Sequence, residues 1–209
     1  MIDYHHRTTC ACGPLVYVRT LKCASTFFWH SFNQKFGWEE IAFDNINWQT
    51  QRVFSHIMDP GRRRIKGVTE FIWMHHAQDQ LADPAYRTFV QQTPVLDMHT
   101  VSYHDNFGDH CDQIDWIPIA NFDHQTVADL TSRMLSENGI KVFNNWHWPY
   151  EHTSEPEKRL LEQQVAQCLS EVATPAVDKY LHQDWMLYQQ VVSRFNSNGR
   201  TWAEVSWLR

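Results

Sequence analysis

The sequence predicts an α/β protein with a central parallel sheet flanked by helices. Short apolar runs, typical of buried strands, alternate with segments whose apolar residues recur at helical spacing. The first apolar run leads directly into a small-residue loop and then an aromatic segment, which is the order strand, loop, helix. Because parallel sheets bind ligands beyond the carboxyl ends of their strands, we expect the functional site at that loop.

The predicted strands are short β-branched or aromatic runs bounded by turn residues. They cover residues 15–18, 40–46, 52–58, 114–119 and 141–143. The third of these strands ends at Asp59-Pro60-Gly61, a sequence that stops a strand and begins a helix.

The predicted helices are recognised by one apolar face and by their end signals. The first follows Thr26, and the second runs from Pro60 towards Gln80. The third extends from an Asp123 cap to Asn138-Gly139, and the fourth begins at a capping box Ser154–Glu157. The last carries the apolar residues between Val177 and Phe195. The helix after Thr26 carries an aromatic face of Phe28, Trp29, Phe32 and Phe36.

The composition is that of one globular domain, expected to span residues 1–209. A formal net charge of −6 argues against general nucleic-acid binding, which needs a basic surface. Five cysteines without a C-x-x-C pair indicate reduced thiols and a cytoplasmic location. We expect no membrane partner, since no segment reaches the roughly 18 apolar residues that a span needs.

The loop between Lys22 and Thr26 has the properties of an anion cradle. A helix start exposes unpaired N–H groups and the positive end of the helix dipole, and small residues let an anion approach them. Lys22 adds a mobile positive charge. The loop lacks the glycines of a Walker A motif, so phosphate binding is expected and NTP hydrolysis is not. Cys23, at a helix start beside Lys22, is either a reactive thiol of lowered pKa or a structural loop cysteine.

A basic segment follows the third predicted strand. Between Arg52 and Lys66 the chain carries five Arg or Lys residues and one acid, Asp59. This pattern is compatible with a basic pocket in an acidic protein and with an exposed basic helix face.

Three separated motifs together resemble the Golgi-type carbohydrate sulfotransferases. Arg19-Thr-Leu-Lys22-Cys-Ala-Ser-Thr26 is similar to the family's 5′-phosphosulfate loop, nearest to that of uronyl 2-O-sulfotransferases. Met58-Asp-Pro-Gly-Arg-Arg63-Arg-Ile-Lys66-Gly67 is similar to its Arg-Asp-Pro-x-x-Arg-x-x-Ser-Gly segment, and the stretch from Tyr180 through Asp184 to Tyr188 resembles its C-terminal Tyr and Asp helix. The motifs occur in the family's order.

The resemblance implies a P-loop-like sulfotransferase fold and transfer of a sulfuryl group from 3′-phosphoadenosine-5′-phosphosulfate (PAPS) to a hydroxyl acceptor. The acceptor would be a small molecule or a glycan, the product nucleotide 3′-phosphoadenosine-5′-phosphate (PAP), and no metal would be required. The residues implied in donor binding are Lys22, Cys23, Ala24, Ser25, Thr26, Phe27, Arg63 and Lys66. Lys22 would also be catalytic, because it can neutralise charge on the bridging oxygen as the sulfuryl group leaves.

Two positions depart from the family pattern. Met58 stands where the family has Arg, and Lys66 where it has Ser, and those side chains normally hold the 3′-phosphate. The 3′-phosphate pocket is therefore either rebuilt around Lys66 and the neighbouring arginines or lost. If it is lost, the chain is a non-catalytic module that binds nucleotides or sulfated ligands.

The general base is left open by the sequence. Asp44 is the first candidate, because related enzymes place an acid on the second strand, and Glu40, His56 and His99 follow. His99 opens a segment similar to a family His-x-x-Pro-Gln loop near the acceptor. Asp184 is expected to organise the fold rather than to react.

Overall fold

The computed structural model of the chain describes residues 7–23, 25–119, 124–140 and 156–198. Its five strands form a mixed sheet flanked by helices, in the order β3-β1-β2-β4-β5. The strands are β1 Thr8–Cys12, β2 Leu15–Val18, β3 Glu39–Ala42, β4 Arg52–Ile57 and β5 Ile114–Pro118. The predicted α/β class is confirmed.

Half of the sheet is parallel, as predicted. In register, Val16 of β2 faces Val53 of β4, and Val53 faces Ile114 of β5. Every residue of β2 and β5 is buried, because helices and loops cover both faces of these strands. Their carboxyl ends meet at one edge of the sheet.

The other half corrects the prediction of a wholly parallel sheet. A short turn at Gly13-Pro14 joins β1 to β2 as an antiparallel hairpin, and Gly13 has the positive φ of +56° that such a turn often requires. β1 then inserts between β2 and β3 and pairs antiparallel with both. β3 ends at Ala42, and the rest of the predicted strand is a 3₁₀ turn, Phe43–Asn45.

Seven α-helices lie within the described ranges. They are α1 Ser25–Trp29, α2 Pro60–Met74, α3 Pro84–Gln92, α4 Tyr103–Phe107, α5 His124–Glu137, α6 Pro156–Ser170 and α7 Pro175–Asn198. α1 continues as a π-helical segment, His30–Lys35. Among the described helices, none is both long and apolar enough to cross a membrane.

Several predicted features differ from the structure or lie outside it. The helix expected to run to Gln80 ends at Met74, and His76 just beyond it has a φ of +51°, which a right-handed helix excludes. The predicted strand 141–143, the Asp123 cap and the Ser154 cap fall outside the described residues.

The unusual aromatic content fills the space between the sheet and α1. The Tyr17 ring lies 4.8 Å from that of Phe32, which stacks at 4.7 Å on Trp38. A second apolar cluster joins α2, α3 and α6 through residues such as Val68, Val90 and Leu161. The second cluster fixes α2 against α3 and α6.

Candidate anion-binding site

The loop after β2 is held in a defined conformation. Ser55 of β4 donates a hydrogen bond of 2.6 Å to the Val18 carbonyl and also bonds the Thr20 hydroxyl. Lys22 has a φ of +65°, in the left-handed region that costs a non-glycine residue about 1 kcal/mol. Strain of this kind concentrates at binding sites, and here it falls at the start of α1.

The donors expected from this loop are only partly available. The Cys23 N–H donates to Thr20 O at 3.2 Å, and the Phe27 side chain is buried in the core. The Thr26 side chain is exposed, so its hydroxyl can reach a ligand. Ala24 and the Ser25 side chain fall outside the described part of the chain.

Arg19 belongs to the loop but was not among the predicted site residues. One of its terminal nitrogens, Nη2, donates to Thr26 Oγ1 at 3.3 Å, whereas Nε is buried and finds no partner within the described residues. Burial lowers the pKa of this guanidinium. The sequence offered one signal that Arg19 belongs to the site: it directly follows the predicted strand and is the first residue of the loop motif.

Lys22 belongs to a group of three ionised side chains, Lys22, Glu70 and Lys158, which we call the lysine cluster. Lys22 Nζ lies 2.8 Å from Glu70 Oε2, and Lys158 Nζ lies 2.7 Å from the same oxygen. The three side chains come from the loop, from α2 and from α6. Glu70 and Lys158 were not predicted, because nothing in sequence joins residues 88 positions apart.

The charges of the cluster shape the pKa values of its members. Burial raises the pKa of Glu70, but hydrogen bonds from Lys158 and Lys22 outweigh it and lower that pKa to about 2. Burial lowers the pKa of Lys22, although the Glu70 carboxylate opposes the shift. The cluster therefore contains an ionised Glu70 at neutral pH.

His99 lies close to this cluster through Asp97. The Asp97 carboxylate interacts electrostatically with Lys22, and its Oδ2 lies 2.9 Å from His99 Nδ1. The His99 carbonyl also lies against α2, where a Cβ placed on Gly67 would meet it at 2.4 Å. Lys22 and His99, both predicted as catalytic, thus lie in one neighbourhood.

Asp44 lies elsewhere on the same edge of the sheet. It is exposed on the 3₁₀ turn after β3, and β1 separates β3 from β2. With strands about 4.8 Å apart, β3 is roughly 10 Å from β2. Glu40 is exposed on β3 itself. Neither carboxylate belongs to the lysine cluster.

His56 is a core residue. It is fully buried, its ring stacks at 3.7 Å on Phe28, and Nε2 lies 3.2 Å from the Thr131 hydroxyl. Burial lowers its pKa to about 3, so the ring is neutral at physiological pH. Its role in the structure is packing.

The first turns of α2 hold two buried arginines, Arg63 and Arg64, which we call the arginine region. Arg63 Nε donates to Leu21 O at 3.2 Å, and Nη2 donates to Val101 O at 2.6 Å. Its guanidinium also lies 4.5 Å over the Tyr103 ring. Arg63 thereby fixes the loop that carries Lys22.

Arg64 has a similar structural environment. Its guanidinium donates to three carbonyls at the end of α3, those of Val90, Thr93 and Pro94. Burial lowers its pKa to about 10. These contacts make two of the five cations of the predicted basic segment internal.

The two positions that depart from the family pattern have different environments. The Met58 side chain is buried in the main apolar cluster. Lys66 is partly exposed and pairs with Glu162 of α6 at 3.1 Å. Lys66 is therefore the more accessible of the two.

The C-terminal motif organises the fold, as predicted for Asp184. This carboxylate is fully buried and accepts the Tyr103 N–H at 2.8 Å and the His104 N–H at 3.3 Å, which caps α4. The Tyr180 hydroxyl accepts the Ser102 N–H at 2.9 Å. These bonds position Val101 and Tyr103 against Arg63.

Cys23 is a buried thiol. Its Sγ lies 3.4 Å from the Tyr103 hydroxyl, which also bonds both backbone groups of Met58. Burial raises the pKa of Cys23 despite the nearby Arg63. The expectation of a lowered pKa is wrong, because loss of solvent outweighs the positive charges.

A cavity of about 540 Å³ lies between α6 and the 3₁₀ turn Gln78–Ala82. Its described lining, which includes Arg87, Gln164 and Glu171, shares no residue with the lysine cluster. No group of three His, Cys, Asp or Glu side chains suited to a metal ion occurs among the described residues.

Comparison with known proteins yields no relative. No protein-family model matches the chain, and no curated protein or solved structure has significant similarity to it.

Proposed function

We propose that the chain is a PAPS-dependent sulfotransferase of P-loop-like fold that transfers a sulfuryl group to a hydroxyl acceptor. The observation that carries the proposal is the contact between its three motifs. Arg63 of the second motif donates to the Leu21 carbonyl of the first motif and to the Val101 carbonyl. Asp184 of the third motif holds the segment that carries Val101, because it accepts the Tyr103 N–H. Three motifs recognised separately in sequence thus come together around Arg63, and this contact supports the proposal.

The residues at this edge fit the needs of the phosphosulfate group. Lys22 supplies a positive charge, Thr26 a hydroxyl, and Arg19 a guanidinium whose buried Nε has no partner among the residues that the structure describes. PAPS supplies the sulfuryl group: a bond forms from the acceptor oxygen to sulfur as the bond from sulfur to the 5′-phosphate oxygen breaks. Lys22 would stabilise the charge that develops on that phosphate oxygen.

His99 is the best-supported general base under this proposal. Asp97 holds its Nδ1, which leaves Nε2 as the ring nitrogen that accepts the proton of the acceptor hydroxyl. Asp97 also faces Lys22, whereas Asp44 lies across β1 from the loop. These contacts favour His99 over Asp44.

The decisive test is transfer of labelled sulfate from PAPS to a library of hydroxyl acceptors. Lys22→Ala is expected to abolish transfer while the circular dichroism spectrum stays unchanged. Lys179→Ala, which removes an exposed lysine of α7, is the matched control and should retain activity. Near-normal turnover by Lys22→Ala would refute the mechanism.

A second candidate function is a non-catalytic module that binds nucleotides or sulfated ligands. It is favoured by the ion pairs that occupy Lys22 and Lys66 and by the buried Met58. Thermal-shift titration with PAP and AMP distinguishes the possibilities. A preference for PAP with transfer supports the enzyme, and binding of either nucleotide without transfer supports the module. The absence of a PAP preference contradicts the enzyme.

A further inference from the structure

We infer that Lys22 and Lys158 form a two-ammonium anion site, and that the Glu70 carboxylate fills this site in the ligand-free protein as an internal competitor. The inference rests on the proposed function only for the identity of the anion, the phosphosulfate end of PAPS. The chemistry that the site recognises is a tetrahedral oxyanion, sulfate or phosphate.

The geometry of the cluster supports two ammonium groups aimed at one point. Both Nζ atoms bind the same oxygen, Glu70 Oε2, rather than one oxygen each. Lys22 approaches from the loop and Lys158 from α6, so a single acceptor atom joins three elements. An oxygen of a sulfate or phosphate group offers the same acceptor chemistry in the same position.

The cluster is open enough for exchange. The side chains of Lys22 and Glu70 are each 20% exposed, and that of Lys158 is 27% exposed. Lys158 also lies 5.8 Å from the Trp73 ring centre, a contact that can retain its ammonium when Glu70 leaves.

The chemistry of lysine favours exchange as well. An ammonium is a point charge on a flexible stem and has no two-pronged geometry to lose when its partner changes. The Glu70 side chain is equally flexible. The arginine region behaves differently, because its guanidiniums bind backbone carbonyls that cannot move aside.

The charge balance of the site explains how Glu70 affects the affinity for anions. Two ammonium groups face the carboxylates of Glu70 and Asp97, so the site has little net positive charge while Glu70 remains in place. A free anion must displace Glu70, and this competition lowers its affinity. A nucleotide must displace Glu70 as well, but its further contacts on the protein add affinity, so it can still occupy the site where free sulfate binds weakly.

The test is isothermal titration of inorganic sulfate into the wild type and Glu70→Gln at constant pH and ionic strength. Glu70→Gln removes the competing charge and is expected to bind sulfate about tenfold more tightly. Glu171→Gln is the matched control, because it removes the same charge from the exposed ion pair between Arg87 of α3 and Glu171, which follows α6, and it should leave sulfate binding unchanged. Equal or weaker sulfate binding by Glu70→Gln would overturn the inference.

A second variant tests the role of Lys158. Adding Lys158→Gln to Glu70→Gln should abolish the tenfold gain, since only one ammonium remains. A double variant that binds sulfate as tightly as Glu70→Gln would remove Lys158 from the site. If Glu70→Gln does not fold, amine labelling of the wild type replaces it: sulfate should protect both lysines, and absence of protection contradicts the site.

Titration with PAP and AMP separates this inference from the proposed function. If Glu70→Gln gains sulfate affinity but no variant prefers PAP to AMP, the anion site stands and the sulfotransferase proposal fails. If PAP preference and transfer are present but Glu70→Gln changes neither sulfate nor PAP binding, the proposed function stands and the competitor role fails.

Discussion

The arginine region lies on α2 and the lysine cluster meets α2 at Glu70, yet the two use positive charge in opposite ways. Arg63 and Arg64 are buried and give their N–H groups to main-chain carbonyls. Lys22 and Lys158 are partly exposed and share one side-chain carboxylate. The carbonyl partners are fixed parts of the fold, whereas Glu70 can move away. Charge that is dense in sequence is therefore structural in the arginine region, whereas the charge that we propose to be exchangeable comes from distant positions in the lysine cluster.

The largest expected effect comes from truncating Arg63. Arg63→Ala leaves the buried Leu21 and Val101 carbonyls without their donor and should cost about 3–5 kcal/mol in the free energy of unfolding. The exposed neighbour Arg62 is the matched control, and Arg62→Ala should change stability by less than about 0.5 kcal/mol. Urea unfolding measures both. Equal effects of the two variants would show that the arginine region is not structural.

The next effect concerns Gly67, where α2 meets the segment that carries Asp97 and His99. A Cβ at this position would lie 2.4 Å from the His99 carbonyl, so Gly67→Ala should cost about 2 kcal/mol by forcing the two backbones apart. At Gly61, on the same helix, a Cβ meets only side chains, at 3.3 Å and beyond, and Gly61→Ala should cost much less. If both variants unfold at the same urea concentration, the close approach at His99 is not tight.

The parts of the fold that the sequence predicts are those with local signals. β2, β4 and the start of α2 lie within a residue of their predicted positions, because apolar runs and the Asp59-Pro60 signal depend on neighbouring residues. β1 was missed. Thr8–Cys12 lacks the large apolar residues of a buried strand, and its pairing with β3 depends on residues farther along the chain.

The site was predictable to a similar extent. The loop with Lys22 and the fold-organising role of Asp184 follow from motifs. The partners that determine the role of each cation do not follow from motifs, because the carbonyls bound by Arg63 lie 42 and 38 positions away. A basic segment in sequence thus does not reveal whether its charges face a ligand or the protein's own backbone.

A smaller effect, the pH dependence of the free energy of unfolding, should distinguish the lysine cluster from the arginine region. The pKa of Glu70 falls from an ordinary 4.5 to about 2 in the folded protein, so its ion pairs contribute stability fully above pH 4.5 and lose it as the pH falls towards 2. The stability difference between the wild type and Glu70→Gln should therefore shrink over this range. Urea unfolding at successive pH values measures it.

The control for this titration is Arg62→Ala, which leaves the lysine cluster intact. Its stability difference from the wild type should stay small at every pH. If the stability difference between the wild type and Glu70→Gln is constant from pH 4.5 to 2, the lysine cluster does not hold Glu70 ionised.

The smallest expected effect on stability is at Lys66, which lies on α2 between the two regions and pairs with Glu162. Because both side chains are about one third exposed, Lys66→Ala should cost less than about 1 kcal/mol. Its informative effect is on binding: if Lys66 exchanges its partner for the 3′-phosphate as Lys22 is proposed to do for the phosphosulfate, PAP affinity falls more than AMP affinity. Glu162→Gln, which frees Lys66, should leave PAP binding unchanged or strengthen it. Equal losses of PAP and AMP affinity in Lys66→Ala would assign Lys66 to the contact between α2 and α6 alone and leave the lysine cluster as the proposed exchangeable charge.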